Sequence, residues 1–311
     1  MQPDENVMVT IRCTVYNHAS YIRQCLDGFV KQKTNFKYEA IVHDDASTDG
    51  SADIIREYAE LYPDIIKPIL QSENQYSKKN GAIGRALNEN TRGKYVALCE
   101  GDDYWIDPCK LQKQVDFLES HPEYSLVCSD AVVLKNGEEQ TWHRYDCDCE
   151  IPLKDVIIKR GAWIHTASIM YRWNLRNDYP EFARKCHVGD YPTVIHLALK
   201  GKVHFFAEKM VAYRFMTAGS WSANTQFNKS FFPKWESEIR MLQGFNDLSN
   251  RKYESFFHTV MGKFAIIYLR HSPEMKKEVL TVLPDFPNWL SWADRLKWWK
   301  IRLGIKRKKL K

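Results

Sequence analysis

Lys94-Tyr95-Val96-Ala97-Leu98-Cys99 runs directly into Glu100-Gly101-Asp102-Asp103-Tyr104-Trp105, and the reading of this stretch decides the rest. Its first half is short and mostly apolar, the pattern of a strand buried on both faces of a parallel sheet. Three carboxylates then stand where that strand ends. Clustered charge at the end of a buried strand is costly unless something positive sits beside it. In open α/β sheets the carboxyl ends of the strands are also where ligands bind. A divalent cation carrying a phosphorylated ligand meets both conditions, because Mg²⁺ and Mn²⁺ prefer oxygen donors. A solvated acidic turn is the competing reading, and the surrounding chain has to separate the two.

Upstream, Val7 to Val15 is rich in β-formers and predicts a first strand, followed by the loop Tyr16-Asn17-His18. Ser20 then reads as a helix N-cap, with Ile22, Cys25, Leu26, Phe29 and Val30 at helical spacing. A second strand, Tyr38 to His43, leads into Asp44-Asp45-Ala46-Ser47-Thr48-Asp49-Gly50-Ser51 and a helix with Ile55, Tyr58, Ala59 and Tyr62 on its inner face. Ile65 to Leu70 is a third strand, and Asn80 to Thr91 a helix stopped at Gly93. Beyond the acidic stretch, Pro108 opens a helix with Leu111, Val115 and Leu118 on its buried side. Strict strand–helix alternation argues for an α/β fold with a parallel sheet covered on both faces.

From Ser125 the rhythm changes. A long strand to Leu134, a turn at Asn136-Gly137 and an irregular charged run from Trp142 to Glu150 come first. A helix at Leu153 to Lys159, a strand at Ala167 to Arg172, a helix near Pro192 and two strands, Lys202 to Ala207 and Met210 to Phe215, follow. This half would supply a mixed part of the sheet and an acceptor side. Residues 228–285 read as helices, with Phe231, Phe232, Trp235, Ile239 and Leu242 on one face. The expected boundaries are 1–124 and 125–225 for the two halves of the main domain, and 226–311 for a helical C-terminal extension.

Composition narrows the function. The 311 residues are 44% hydrophobic and 27% charged, an ordinary globular balance. The net charge of +6 is uneven: Arg295 to Lys311 holds nine Lys or Arg and no acid, leaving 36 basic against 39 acidic residues elsewhere. A near-neutral body argues against nucleic-acid binding. Eight scattered cysteines without a CxxC pair give neither a zinc site nor a disulfide framework. With no signal-peptide pattern at the N-terminus and no run of about 20 apolar residues, a reducing cytoplasm is expected. In the tail, Trp289, Trp292, Leu296, Trp299 and Leu303 fall on one helical stripe flanked by Lys and Arg. That is the pattern of an interfacial membrane anchor on the inner face of the plasma membrane. A helix packed on its own domain with a solvated basic end is the alternative.

Three motifs in order, Thr14-Val15-Tyr16-Asn17, Asp44 to Gly50, and Glu100-Gly101-Asp102-Asp103, with a later Gly189-Asp190, resemble family 2 glycosyltransferases of the GT-A fold. The resemblance covers roughly the first 220 residues and points to bacterial enzymes that build surface polysaccharides. It implies a nucleotide-diphosphate sugar donor, most often a UDP-sugar, a saccharide or lipid-linked acceptor, Mn²⁺ or Mg²⁺, and inversion at the anomeric carbon.

The residues agree with this chemistry. The loop Thr14, Val15, Tyr16, Asn17 can meet a flat base at the sheet edge. Asp44 or Asp45 can accept the uracil imide N–H, which cytosine lacks. The resemblance places such an Asp here, and Asp45 is the preferred one; Asp44 and Ser47 can equally cap the next helix. Glu100 stands where the family has Asp and can reach a ribose hydroxyl or a metal-bound water; Gly101 belongs to the same nucleotide contact. The resemblance makes Asp102 the metal ligand, has Asp103 orient sugar or water, and makes Asp190 the base that takes the acceptor's proton. A plain N-cap aspartate at 190 is the local alternative. Arg214 can pair with phosphate through its guanidinium fork. Arg85, with Lys78 and Lys79, lies where relatives contact the nucleotide. His165, with Trp163, Thr166 and Ser168, resembles the acceptor-facing stretch. Trp221, in Gly219-Ser220-Trp221-Ser222, resembles the segment that closes over the donor, and Met216 stands where relatives often carry a metal-binding His.

Two other readings are open. A sugar nucleotidyltransferase calls for a Gly-rich basic loop after the first strand, and Tyr16-Asn17-His18-Ala19 has no glycine. A non-catalytic nucleotide-binding scaffold on the same fold remains compatible with Glu100 and Met216.

Overall fold

Val9, Ile11, Cys13 and Val15 alternate along one strand and all turn to the same buried face. There they meet Ala40 and Val42 from the next strand, Tyr95, Ala97 and Cys99 from the acidic stretch, and Ile22, Leu26 and Phe29 from the first helix. The chain is seen here in a computed structural model that describes residues 7–140, 145–159, 164–215 and 229–303. Its first half alternates as the sequence indicates, except that a two-residue strand stands before the last helix: β1 (Val9–Val15), α1 (Ile22–Val30), β2 (Tyr38–Asp44), α2 (Ser51–Leu61), β3 (Ile66–Leu70), α3 (Ala82–Asn90), β4 (Tyr95–Glu100), β5 (Tyr104–Trp105) and α4 (Lys110–Ser120). The rest of the sheet comes from β6 (Tyr124–Lys135), β7 (Glu138–Gln140), β8 (Cys149–Ile151), β9 (Met170–Arg172) and β10 (Lys202–Arg214).

The strand order is β3-β2-β1-β4-β9-β6-β10-β5, with β7 added on β6 and β8 on β10. The first four strands are parallel; β9 runs antiparallel to both β4 and β6. The register sets the site. Thr14 lies opposite both His43 and Glu100, and Val15 opposite Asp44. The ends of β1, β2 and β4 are therefore level, and the three motifs leave the sheet at one edge.

Two compact units divide the chain. The first holds Met1–Pro152, Ala162–Asp178 and Lys200–Ala223, and so contains the whole sheet. The second holds Leu153–Gly161, Tyr179–Leu199 and Asn224–Lys311. It is helical: α5 (Leu153–Ile158), α6 (Glu181–Arg184), α7 (Asp190–Ala198), α8 (Phe232–Leu248), α9 (Glu254–His271), α10 (Lys276–Val282), α11 (Phe286–Trp289) and α12 (Trp292–Arg302). Trp235 is its largest buried side chain, stacked on Tyr268 with ring centres 5.5 Å apart.

In several places side chains override the local sequence pattern. The start of α1 is closed by the His18 carbonyl, which accepts the Tyr21 and Ile22 N–H groups at 2.8 Å, so Ser20 is not its cap. Gly93 is no helix stop; α3 ends at Asn90. Gly93 is small because a Cβ there would come within 2.4 Å of the Thr10 nitrogen. Thr166–Ser168 is a 3₁₀ turn, not strand, closed by Ser168 Oγ on the His165 carbonyl at 2.7 Å. The expected pair of strands at 202–215 is one strand, irregular between Phe206 and Val211. Lys113 holds Glu208 there, and Lys209 holds Glu139. A bulge bends a strand without ending it, and its charged tip reads in sequence like a turn.

A polar chain runs through the first unit's core behind the acidic stretch. Lys110 is fully buried; its Nζ donates to Gln114 Oε1 at 2.8 Å and lies 4.1 Å from the centre of the Trp105 ring. Gln114 Nε2 donates to the Ser168 carbonyl at 2.8 Å, and Trp105 Nε1 to that of Ala167 at 2.9 Å. Burial pushes the Lys110 ammonium down to about 7. Because this folded value lies below the unfolded one, the favourable contribution is full above the ordinary lysine range and disappears as pH falls to about 7. Lys110→Met removes that dependence. Chemical denaturation should show the variant gaining on the wild type by about 1.4 kcal/mol per unit as pH falls from about 10 to 7, then levelling. A pH-independent difference would contradict a lysine that loses its charge on folding.

Candidate active site

Two loops at the level strand ends lace into each other. The Asn17 N–H donates to Ser47 Oγ at 2.8 Å, the His18 N–H to Ser51 Oγ at 2.9 Å, and the Ala19 N–H to Asp49 Oδ2 at 2.8 Å. In return the Thr48 N–H donates to Asn17 Oδ1 at 2.8 Å. Asn17 and Ala46 both adopt left-handed backbone, at φ 56° and 61°, which costs an alanine roughly 1–2 kcal/mol. Tyr16, just before, is 49% exposed, and its ring is available to a planar ligand.

The two aspartates after β2 have separate tasks. Asp44 Oδ2 accepts the Ser47 N–H at 3.0 Å, closing a tight turn. It does not cap α2, whose first turn is held instead by Asp49 Oδ1 on the Ser51 N–H and hydroxyl. Asp45 is clamped by a third loop: Oδ1 accepts the Gln75 N–H at 2.7 Å and Oδ2 the Tyr76 N–H at 3.0 Å. Each oxygen keeps a second lone pair, so the carboxylate is a fixed acceptor beside the end of β1. Its own N–H donates to the Val15 carbonyl at 2.9 Å.

Glu100, Asp102 and Asp103 bring one carboxylate oxygen each to within 4.8 Å of the others. Glu100 is exposed, Asp102 half-buried and Asp103 buried. Asp103 Oδ1 accepts the Arg214 N–H at 2.9 Å. Burial, and then the charge of Asp102, pushes the Asp103 carboxyl well above the usual carboxylate range, against the pull of the Arg214 N–H. Such a cluster of hard oxygens with an unfavourably held charge fits Mg²⁺ or Mn²⁺. The Arg214 guanidinium donates to the Asp102 carbonyl and to Gln24 Oε1. Its centre lies between two rings, 4.9 Å from Tyr21 and 4.5 Å from Tyr104. Gly101 is pinned from above: a Cβ would come within 2.9 Å of His18 Nδ1 and of Val15 Cγ2.

His18, which the sequence offered only as a loop residue, thus lies against the acidic stretch. Burial pushes its imidazole below the usual histidine range, while Asp102, Asp49 and Asp44 pull it back up. His165 is buried with its ring stacked on Tyr213, centres 4.4 Å apart. Arg85 is exposed on α3, its Nη1 donating to the Asn80 carbonyl at 2.6 Å. Asp190 belongs to the second unit, at the first position of α7, where Oδ1 accepts the Tyr191 N–H at 2.7 Å. Trp163, Met216 and Trp221 lie outside the described residues.

The family model described as glycosyl transferase family 2 matches residues 10–216. The chain belongs to that family. Among relatives of this family 2 glycosyltransferase, an uncharacterized Mycobacterium tuberculosis protein is 36% identical over 264 residues, covering 82% of this chain and 72% of the relative. TuaG of Bacillus subtilis, a glycosyltransferase named for teichuronic acid biosynthesis, is 32% identical over 133 residues, 41% of this chain and 50% of its own length. In three dimensions, S. aureus TarS 1–349 in complex with UDP-GlcNAc has TM-score 0.67 at 15% identity, covering 96% of this chain and 88% of that one. The full TarS chain is spanned over 53% of its length. A Pyrobaculum calidifontis mannosyltransferase in complex with GDP-Man and Mn²⁺ has TM-score 0.56 at 16% identity, covering 99% and 83%. At those identities the structures show the fold, which is GT-A with C-terminal helices.

Asp103→Asn keeps an acceptor for the Arg214 N–H and removes the titrating group. Because the folded value is raised, the wild type is least penalised at low pH and loses stability as pH rises from the unfolded carboxylate range. Without added metal, the variant should melt at least about 2 °C above the wild type near pH 8, the gap closing by about pH 4. Equal melting temperatures across that range would contradict the raised carboxyl.

Proposed function

We propose that this family 2 glycosyltransferase transfers a sugar, with inversion, from a UDP-sugar to a saccharide or lipid-linked acceptor in surface polysaccharide synthesis. The observation that carries the reading is the meeting, at one edge of the sheet, of an exposed aromatic ring, a fixed carboxylate acceptor and a three-carboxylate cluster. Those parts correspond to base, imide and diphosphate in that order. Tyr16 stacks on the base, and Asp45 takes its imide N–H. Asp102, with Glu100 beside it, would hold a divalent cation such as Mn²⁺ or Mg²⁺, which would supply Lewis-acid neutralisation of the leaving diphosphate. Arg214 positions Asp102 through its backbone carbonyl, and Asp103, whose burial turns it from the sugar or water it was expected to orient, holds the Arg214 N–H instead.

Asp190 is assigned as the base. The N-terminus of α7 favours its ionised form. Its carboxylate takes the proton of the acceptor hydroxyl as that oxygen bonds to the anomeric carbon. The bond from that carbon to the diphosphate breaks on the opposite side, its electron pair leaving with the phosphate. TarS was solved with UDP-GlcNAc, which supports a UDP-sugar donor here.

The test is transfer from a panel of UDP-sugars in the presence of Mn²⁺. Asp190→Asn should lower kcat by about 10²- to 10⁴-fold with the KM for the donor nearly unchanged. Full transfer by that variant would remove the base assignment. UDP binding without turnover on any acceptor would favour a nucleotide-binding scaffold.

A further inference from the structure

Helix α12 shows two faces of opposite character. Asp294, on its inner side, is buried; its carboxylate accepts from Ser291 Oγ at 2.8 Å and from Lys297 Nζ at 2.6 Å. Trp298 packs edge-on against Phe286, ring centres 5.0 Å apart. These contacts fix how the helix is turned. The outer side carries Trp292, Leu296, Trp299 and Leu303, which are 78%, 44%, 54% and 55% exposed. At 100° per residue they fall within an arc of about 60°. Trp289 does not join them: it lies in α11, stacked on His258 with ring centres 3.9 Å apart.

A helix packed on its own domain, the sequence's alternative, would turn its tryptophans inward. Here one does, and two do not. Exposed Lys300 and Arg302 border the stripe, and residues 304–311 add Lys306, Arg307, Lys308, Lys309 and Lys311 with no acid. Tryptophan prefers the boundary between headgroups and acyl chains, and flanking cations pair with anionic headgroups. Among the described residues no helix is long and apolar enough to cross a membrane. The surface therefore suits a helix lying in the interface.

We propose that the outer face of α12 docks this chain on an anionic lipid bilayer, with Trp292 and Trp299 as the inserted anchors and Lys300 and Arg302 as the electrostatic contact. The docking does not depend on the transfer chemistry, so its failure would leave that assignment standing. The test uses the full chain with vesicles of phosphatidylcholine alone or mixed with phosphatidylglycerol. The wild type should pellet with the mixed vesicles, with a blue-shifted tryptophan emission, and release as salt rises. Trp292→Ser with Trp299→Ser should weaken that binding about tenfold or more, at unchanged circular dichroism, and Leu296→Gln with Leu303→Gln should weaken it independently. Equal pelleting of wild type and both double variants would overturn the proposal. So would a wild type that ignores anionic vesicles, or one that is a dimer in sedimentation equilibrium and is made monomeric by the Trp substitutions without ever binding lipid.

Discussion

Asp103 takes the backbone N–H of Arg214, and that single bond joins residues 111 positions apart beside the end of β4. Nearly every feature of the acidic loop is arranged around it. The buried carboxyl cannot turn outward, so Glu100 and Asp102 are left as the outward members of the cluster. Arg214 then closes the arrangement from β10, holding the Asp102 carbonyl while its guanidinium lies between Tyr21 and Tyr104. A guanidinium held by two rings and two acceptors loses little further freedom when a ligand arrives.

The same economy appears in the loops beside it. Loops leaving β1 and β2 would each be short of partners alone, because their backbone groups sit beyond the last ladder bonds. They satisfy one another instead, through Ser47, Asp49, Ser51 and Asn17. The loop at 75–76 adds two N–H groups to Asp45. Preorganised acceptors of this kind bind without first paying to be ordered.

Much of this was legible in the sequence, and the limits have physical causes. The alternation of strands and helices follows from hydrophobic period and turn residues, and it holds through β4; the two-residue β5 before α4 is too short for such a pattern to show. The motifs come together because the level ends of β1, β2 and β4 bring their loops to one edge. What pattern could not supply was long-range side-chain geometry. The split between Asp44 and Asp45 depends on amides 30 residues away. The burial of Asp103 depends on β10, and the place of His18 on the absence of a Cβ at Gly101. The bulge at 206–211 reads as a turn because its charges are paired with α4 and β7, which the local sequence does not mention. In the tail, spacing found the stripe, while the break between α11 and α12 removed Trp289 from it.

The central claim is that the carboxylates of the acidic loop bind the donor's diphosphate through a divalent cation. Calorimetric titration of UDP into the full chain, with and without Mn²⁺, tests it most directly. Mn²⁺ should tighten UDP binding about tenfold or more in the wild type and leave Asp102→Asn unchanged, a difference of at least about 1.4 kcal/mol. Equal UDP affinity with and without Mn²⁺ in the wild type, or a full Mn²⁺ effect in Asp102→Asn, would contradict it.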